Sequence, residues 1–304
     1  MLCWKKIINQ KIILFILFQT INASAIELID ATSHKLSMPT PPKRIVTLAP
    51  SLGELAADLL GENIDRIVGV SENTDYPPML GKIFSVGPYS RFNFEKILSL
   101  KPDLAIATKD GNLKDQVLHL RGMGIPVLVV STENLSQVQE SIKLVSIALG
   151  KQAQGLQMVQ QLQNGLKHIK NRAADRLQKT KKKTILFQLG DSPFITVGNK
   201  SFLNEVIETI GATNIFSDLN TGYPRPSLEE TVKRNPDVIL ILDFNNESDK
   251  TNSTLNQMKS HWQRFKTMNA VKNKEIKIIK SDSLLRPTLR LLEGLSILER
   301  AVYQ

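Results

Sequence analysis

A chain of 304 residues is long enough for two domains of ordinary size, each with its own core. One cysteine, Cys3, excludes a disulfide scaffold and a cysteine metal site. The net charge of +10 would suit an anionic partner. However, lysines are spread along the chain, and the densest run, Lys179–Lys183, has no interleaved aromatic residues, so a nucleic-acid stacking platform is not indicated.

Residues 1–25 read as a secretory signal segment. Lys5, Lys6 and Lys11 precede or enter the apolar stretch Ile12–Phe18, and Ala23-Ser24-Ala25 supplies small residues for cleavage. The stretch is short for a membrane span, so the mature chain is expected to start near Ile26. Cys3 lies in the leader rather than at the cleavage point, which argues against a lipoprotein. Export without disulfides fits a soluble protein of a bacterial periplasm.

Residues 26–42 show little pattern, and Pro39, Pro41 and Pro42 predict an extended lead-in. The first αβ lobe is expected over 43–150. Arg44–Leu48 is its first strand, broken by Pro50-Ser51, and Glu54–Leu60 is a helix ending at Gly61. Ile67–Val70 is a strand, and Ser71–Leu80 a polar loop containing Asp75-Tyr76-Pro77-Pro78. Helix Phe94–Ser99, strand Leu104–Ala107, helix Asn112–Arg121, strand Val127–Val130 and helix Leu135–Leu149 follow. Strands alternating with helices of this length predict a mostly parallel sheet covered on both faces.

The segment 151–180 holds the element that organises the chain. Leu156, Val159, Leu162, Leu166, Ile169, Ala173 and Leu177 recur every three or four residues, so Gln152–Leu177 is predicted to be one long amphipathic helix. It runs into the basic residues Lys179–Lys183, which suit a helix C-terminus.

A second lobe is expected over 181–304. Its strands are Thr184–Leu189, Phe194–Val197, Val238–Leu242 and Ile276–Ile279; its helices are Phe202–Ile210, Leu228–Arg234 and Thr288–Val302. Residues 245–255 are polar and expected to be mobile. The fold class is therefore α/β, with two mostly parallel αβα lobes joined by one long rigid helix and a cleft between them.

The lobes share a repeated unit. Phe92–Ala107 and Pro226–Ile241 each read as a short acidic helix, a turn containing Pro-Asp and an apolar strand. Two Tyr/Arg pairs, Tyr89/Arg91 and Tyr223/Arg225, precede these units at corresponding positions.

Little suggests catalysis. His34, His119, His168 and His261 are far apart and lack metal-ligand spacing. Ser51 sits at a strand-to-helix turn, but without the glycine frame of a nucleophile elbow. No nucleotide-binding glycine motif is present. Recognition fits better. Loops at the carboxyl ends of the strands would offer Ser51, Asp75, Tyr76, Tyr89, Arg91 and Lys109 from one lobe, and Phe194, Tyr223, Arg225, Arg286 and Arg290 from the other. Tyrosines give rigid contact area and arginines fixed donor forks. So many cations would favour a ligand with negative or strongly accepting groups.

From about Arg44 to the C-terminus, the chain resembles the periplasmic substrate-binding proteins serving importers of vitamin B12, ferric siderophores and haem. The segments carrying the resemblance are Thr47-Leu48-Ala49-Pro50-Ser51 with Glu54-Leu55, Asp75-Tyr76-Pro77-Pro78, Leu100-Lys101-Pro102-Asp103-Leu104 and Gly122-Met123-Gly124-Ile125-Pro126-Val127. Asn204-Glu205-Val206-Ile207-Glu208 and Asn214-Ile215-Phe216 extend it. The nearest pattern is that of the vitamin B12 branch. The resemblance implies a monomeric, non-enzymatic component of an ABC importer, with an inner-membrane permease as partner and no resident cofactor.

It further implies that Tyr76, Tyr89 and Tyr223 lie in loops holding a cobalt corrinoid. Glu54 and Glu208, with Glu205 as a substitute, would meet permease arginines. The departures are Tyr89, Tyr223, Thr108 and Ser283 where that branch carries tryptophans. These leave an iron chelate, a ferric siderophore or haem, as the alternative ligand.

Overall fold

The computed structural model describes residues 25–243 and 249–304. Residues 1–24 of the expected signal segment, and 245–248 of the expected mobile stretch, lie outside the described residues.

The first elements form a hairpin where an extended lead-in was expected. Strands β1 (Ile26–Ile29) and β2 (Lys35–Met38) pair antiparallel. The Asp30 carboxylate organises the turn, accepting from Thr32 N at 2.8 Å and His34 N at 3.0 Å. Arg121 also pairs with this carboxylate, tying the hairpin to the lobe behind it.

In the first lobe, β3 (Ile45–Thr47) leads into α1 (Pro50–Leu60). Pro50 opens this helix instead of preceding it, since the first turn needs no proline N–H. Strand β4 (Ile67–Val70), helix α2 (Phe94–Ser99), β5 (Leu104–Thr108), α3 (Lys114–Gly122), β6 (Val127–Val130) and α4 (Leu135–Ala148) complete the lobe. Helix α5 spans Gln152–Leu177, as its apolar period predicts, and buries Val159, Leu162, Leu166, Ile169 and Ala173.

The second lobe starts with β7 (Thr184–Gln188), then the small antiparallel pair β8 (Gly190–Asp191) and β9 (Phe194–Ile195). Helix α6 (Phe202–Thr209), β10 (Thr213–Asn214), α7 (Leu228–Arg234) and β11 (Val238–Asp243) follow. Helix α8 (Asp249–Gln263) runs through the part of the expected mobile stretch that is described. Leu255, Met258 and Trp262 lie on its buried side, and that spacing was the overlooked signal. Short α9 (Asn269–Lys272), β12 (Ile276–Lys280) and α10 (Leu291–Tyr303) close the chain.

Both main sheets are parallel and four-stranded, in the orders β4-β3-β5-β6 and β10-β7-β11-β12. Within each lobe this is the same permutation: second strand, first, third, fourth. The repeated unit seen in the sequence is therefore a repeat of topology. One buried apolar cluster runs from α1 and α4 through α5 into β7, α6 and α10, so the long helix is mortar between the lobes as well as a linker. Gly165 of α5 marks a close approach, because a Cβ there would lie 2.5 Å from Leu292 Cδ2.

Candidate functional site between the lobes

Parallel strands leave their carboxyl ends, and the loops that follow them, at the crevice between two such sheets. A cavity of about 300 Å³ occupies this place. The first lobe lines it with Ser51, Asn73, Tyr89, Thr108, Asp110 and Thr132, and the second with Phe202, Tyr223, Asp282, Leu285, Arg286 and Pro287.

Tyr89 is held from behind. The buried Asn112 side chain accepts from Thr108 N at 2.7 Å and donates to Leu48 O at 2.8 Å and Tyr89 O at 2.6 Å. One amide thus fixes the end of β3, the end of β5 and the tyrosine loop together. Gly111 gives the ring its place, since a Cβ there would stand 2.4 Å from Tyr89 Cε2.

Tyr223 rides on a loop zipped to the segment before α6. Thr196 N donates to Pro224 O at 3.1 Å, Gly198 N to Gly222 O at 2.9 Å and Lys200 N to Thr221 O at 3.2 Å. A side chain at Gly198 would collide with the Thr221 carbonyl oxygen at 2.2 Å. Burial pushes the Tyr223 phenol above its ordinary pKa, and a hydrogen bond with Ser201 opposes this. As whole residues Tyr89 and Tyr223 are 46% and 50% exposed, so each still offers surface to a ligand.

The arginines have a different use. Arg290 Nη1 donates to Glu54 Oε1 at 2.8 Å and its Nη2 to Asp282 Oδ1 at 2.8 Å. Arg286 Nε donates to Asp282 Oδ2 at 2.8 Å and lies 3.3 Å from Glu54 Oε1. Arg286 also reaches Asn73 O at 3.2 Å and approaches Asp75 at 3.6 Å. Thr288 Oγ1 completes the cluster by donating to Glu54 Oε2 at 3.3 Å. Glu54 belongs to the first lobe and the arginines to the second, so this is an ionic clasp across the cleft floor.

Glu54 is only 2% exposed. Burial pushes its carboxyl up to about 7, against the pull of Arg286 and Arg290. Burial likewise raises Asp58, with Arg290 opposing. Burial also works against ionised Asp282, but Arg286 and Arg290 outweigh it and hold that carboxyl below its usual range.

These contacts revise several expectations. Glu54 does not present a carboxylate to a permease; it is buried in the clasp because α1 turns it toward Arg290 alongside Leu52 and Leu55. Glu208 is exposed and accepts from Asn204 Nδ2 at 3.0 Å. Glu205 instead accepts from Leu135 N at 2.7 Å, closing the first turn of α4 across the lobes. Ser51, Tyr89, Tyr223 and Arg286 line the cavity as expected, while Arg91 and Arg225 are exposed and do not.

Tyr76 lies beneath Arg290, whose guanidinium carbon is 3.9 Å from the ring centroid, in a neighbouring pocket outside the cleft. Arg290 is spent on the clasp. Phe194 packs edge-on to Trp262 at 5.8 Å and belongs to the second lobe's core. Lys109 lies 3.7 Å from Glu133. Asp75 faces solvent beside Arg286, outside the cavity lining.

Sequence reasoning passed over Asn73, Asp110, Thr132, Phe202 and Asp282. Asp110 binds the loops after β5 and β6, accepting from Thr132 Oγ1 at 2.8 Å and Ser131 Oγ at 3.2 Å. Its place just after an apolar strand was a usable signal. Among the described residues, no group of three or more His, Cys, Asp or Glu side chains could hold a metal ion. None of their helices is long and apolar enough to cross a membrane.

The family profile described as periplasmic binding protein matches residues 45–283. An uncharacterized ABC transporter substrate-binding lipoprotein of Bacillus subtilis, YvrC, is 32% identical over 279 residues, covering 90% of this chain and 84% of that one. The vitamin B12-binding protein of Vibrio cholerae is 31% identical over 264 residues, 86% of this chain and 90% of its own. The crystal structure of the periplasmic vitamin B12 binding protein BtuF of Vibrio cholerae superposes with a TM-score of 0.72 at 29% identity, covering 87% of this chain and 99% of that one. By this match, and by its two parallel sheets facing one cleft, the chain belongs to the periplasmic binding protein family.

Proposed function

We propose that the protein is the extracytoplasmic solute-binding component of an ABC importer, and that it captures a corrinoid between its lobes. The observation that carries the ligand is the placing of Tyr89 and Tyr223 on the two sides of a cleft whose one lining arginine, Arg286, is already held by Asp282 and Glu54. Recruiting Arg286 to a ligand carboxylate would strip a partner from buried Glu54, which is costly. The cleft therefore disfavours a polyanionic iron chelate or the propionates of haem. It offers instead two aromatic faces ringed by the hydroxyls of Ser51, Thr108 and Thr132, which suit the apolar rim and amide arms of a corrinoid. Likeness to the Vibrio cholerae vitamin B12-binding protein supports the same reading.

A cavity of about 300 Å³ is small for such a ligand. Entry requires the lobes to part, with the clasp as the pivot. Titration of the purified protein with cyanocobalamin, haem and ferric siderophores tests the proposal. Saturable binding of haem or an iron chelate, with none of the corrinoid, would overturn it.

Delivery needs one reporter of position on each lobe. Glu95 and Glu229 are both exposed and lie in the first turns of the equivalent helices α2 and α7. Each follows its cleft tyrosine at the same spacing, Tyr89 to Glu95 and Tyr223 to Glu229. This symmetry makes them the better pair for permease arginines, in place of Glu54 and Glu208.

A further inference from the structure

We propose that the second lobe's face opposite the cleft is a docking surface for an anionic phospholipid membrane. In a parallel sheet all strands begin on one side, and the cleft takes the other. Three of the turns on the beginning side carry basic residues: four lysines in Lys179–Lys183 before β7, Lys233 and Arg234 in Lys233–Asp237 before β11, and two lysines in Lys272–Glu275 before β12.

Hydrogen bonds make these turns one face. The Asp237 carboxylate accepts from Thr184 N and Thr184 Oγ1, both at 2.9 Å. Asn269 N donates to Asn235 Oδ1 at 2.7 Å, and Ala270 N to Pro236 O at 3.1 Å. Lys183 Nζ donates to Val302 O at 2.8 Å and Lys277 Nζ to Ala301 O at 2.6 Å, so the end of α10 joins the same surface.

The charges there divide unequally. The acids are mostly committed: Glu299 to Arg172 and Arg176, and Glu275 to Lys183 and Lys277. Asp218 and Glu230 pair with Arg234, Asp237 serves backbone and hydroxyl donors, and Asp175 is a further exposed acid nearby. Lys179, Lys181, Lys182, Lys233, Lys272 and Lys274 are all exposed. Arg300 extends them along α10.

A broad face of flexible ammonium groups, with a hollow of about 590 Å³ between Arg172, Arg176, Arg300 and Tyr303 at its edge, matches a plane of phosphate headgroups, whose negative potential attracts clustered lysines. A nucleic acid would call for interleaved stacking rings, which this face lacks: Tyr303, the nearby aromatic, is covered by Arg176 at 3.8 Å. Adsorbed this way, the protein would hold its cleft mouth away from the lipid, so it must leave the surface before Glu95 and Glu229 can meet a permease.

Co-sedimentation of the full chain with phosphatidylglycerol-containing vesicles, and with phosphatidylcholine vesicles, tests the proposal. A charge-reversed variant, K181E/K182E/K272E/K274E, is compared with K43E/K82E/K114E/K167E, which makes the same change in net charge elsewhere. The expected result is binding to the anionic vesicles only, released at about 1 M salt, where the Debye length is about 3 Å. The first variant should lose at least about tenfold in apparent affinity, and the second less than about twofold. Equal losses in both variants would overturn the proposal, as would salt-resistant binding or equal binding to neutral vesicles. Capture by single-stranded DNA in place of anionic vesicles would do the same.

Discussion

Arg290, just before the last helix, donates to Glu54 in the first helix of the other lobe at 2.8 Å, the shortest ionic contact between lobe and lobe in the clasp. Glu54→Ala removes the buried acceptor of Arg290 and Thr288 in either protonation state, so it should lower unfolding free energy by about 1–3 kcal/mol. Equilibrium denaturation in urea measures this. A double substitution, Glu54→Leu with Arg290→Met, should recover much of the loss, because removing both partners leaves no Arg290 donor unmet.

The clasp should also make stability depend on pH. In the folded protein Glu54 titrates at about 7, above its ordinary value of 4.5. The folded state therefore holds this proton more tightly than the unfolded chain. Its stabilising contribution is full below about pH 4.5 and is lost as pH rises through about 7. The melting temperature should fall across that window, and Glu54→Gln, which cannot ionise, should flatten the fall. An unchanged profile in the variant would assign the dependence to other groups.

Tyr89 and Tyr223 should be the main contributors to ligand affinity. Replacing either by alanine is expected to weaken corrinoid binding by about 10- to 100-fold, in the range of a buried aromatic anchor. Calorimetric titration reads this directly, and a change below about threefold for both would remove them from the site.

Gly111 offers a subtler test. A methyl group there would press on Tyr89 Cε2 from 2.4 Å, so Gly111→Ala must swing the ring out of place. Affinity should fall several-fold while the melting temperature hardly moves, since Tyr89 as a whole residue is already about half exposed. A loss of stability without loss of affinity would contradict this account.

Reversing Glu95 and Glu229 together to lysine should abolish uptake in cells while leaving solution affinity unchanged. Reversing Glu208 alone should leave uptake intact. A double variant that still supports full uptake would send the search for permease contacts elsewhere.

Much of the architecture was readable in the chain because local period decided it. The 3.6-residue repeat of Leu156 to Leu177 gave the linking helix to the residue, and β4, α2, β6 and α7 likewise have the expected bounds. The fate of charged residues was not readable this way. Glu54 looks like a surface acid, and only the fold shows that Arg290 meets it from the other end of the chain. Phe194 resembles a cleft residue by its loop position, yet Trp262 claims it for the core. The hairpin β1–β2 was hidden because its turn depends on one side chain, Asp30, and on Arg121 far away.

The buried cluster that passes unbroken through the long helix sets a limit on how the protein can work. Gaping widely would wet apolar side chains on either side of that helix, and water opposes this roughly in proportion to the area uncovered. Cargo of different girth must then be met at the lips, by re-aiming the Tyr89 and Tyr223 loops. Changes in appetite between relatives should accordingly be written in those two short loops while the spine stays the same.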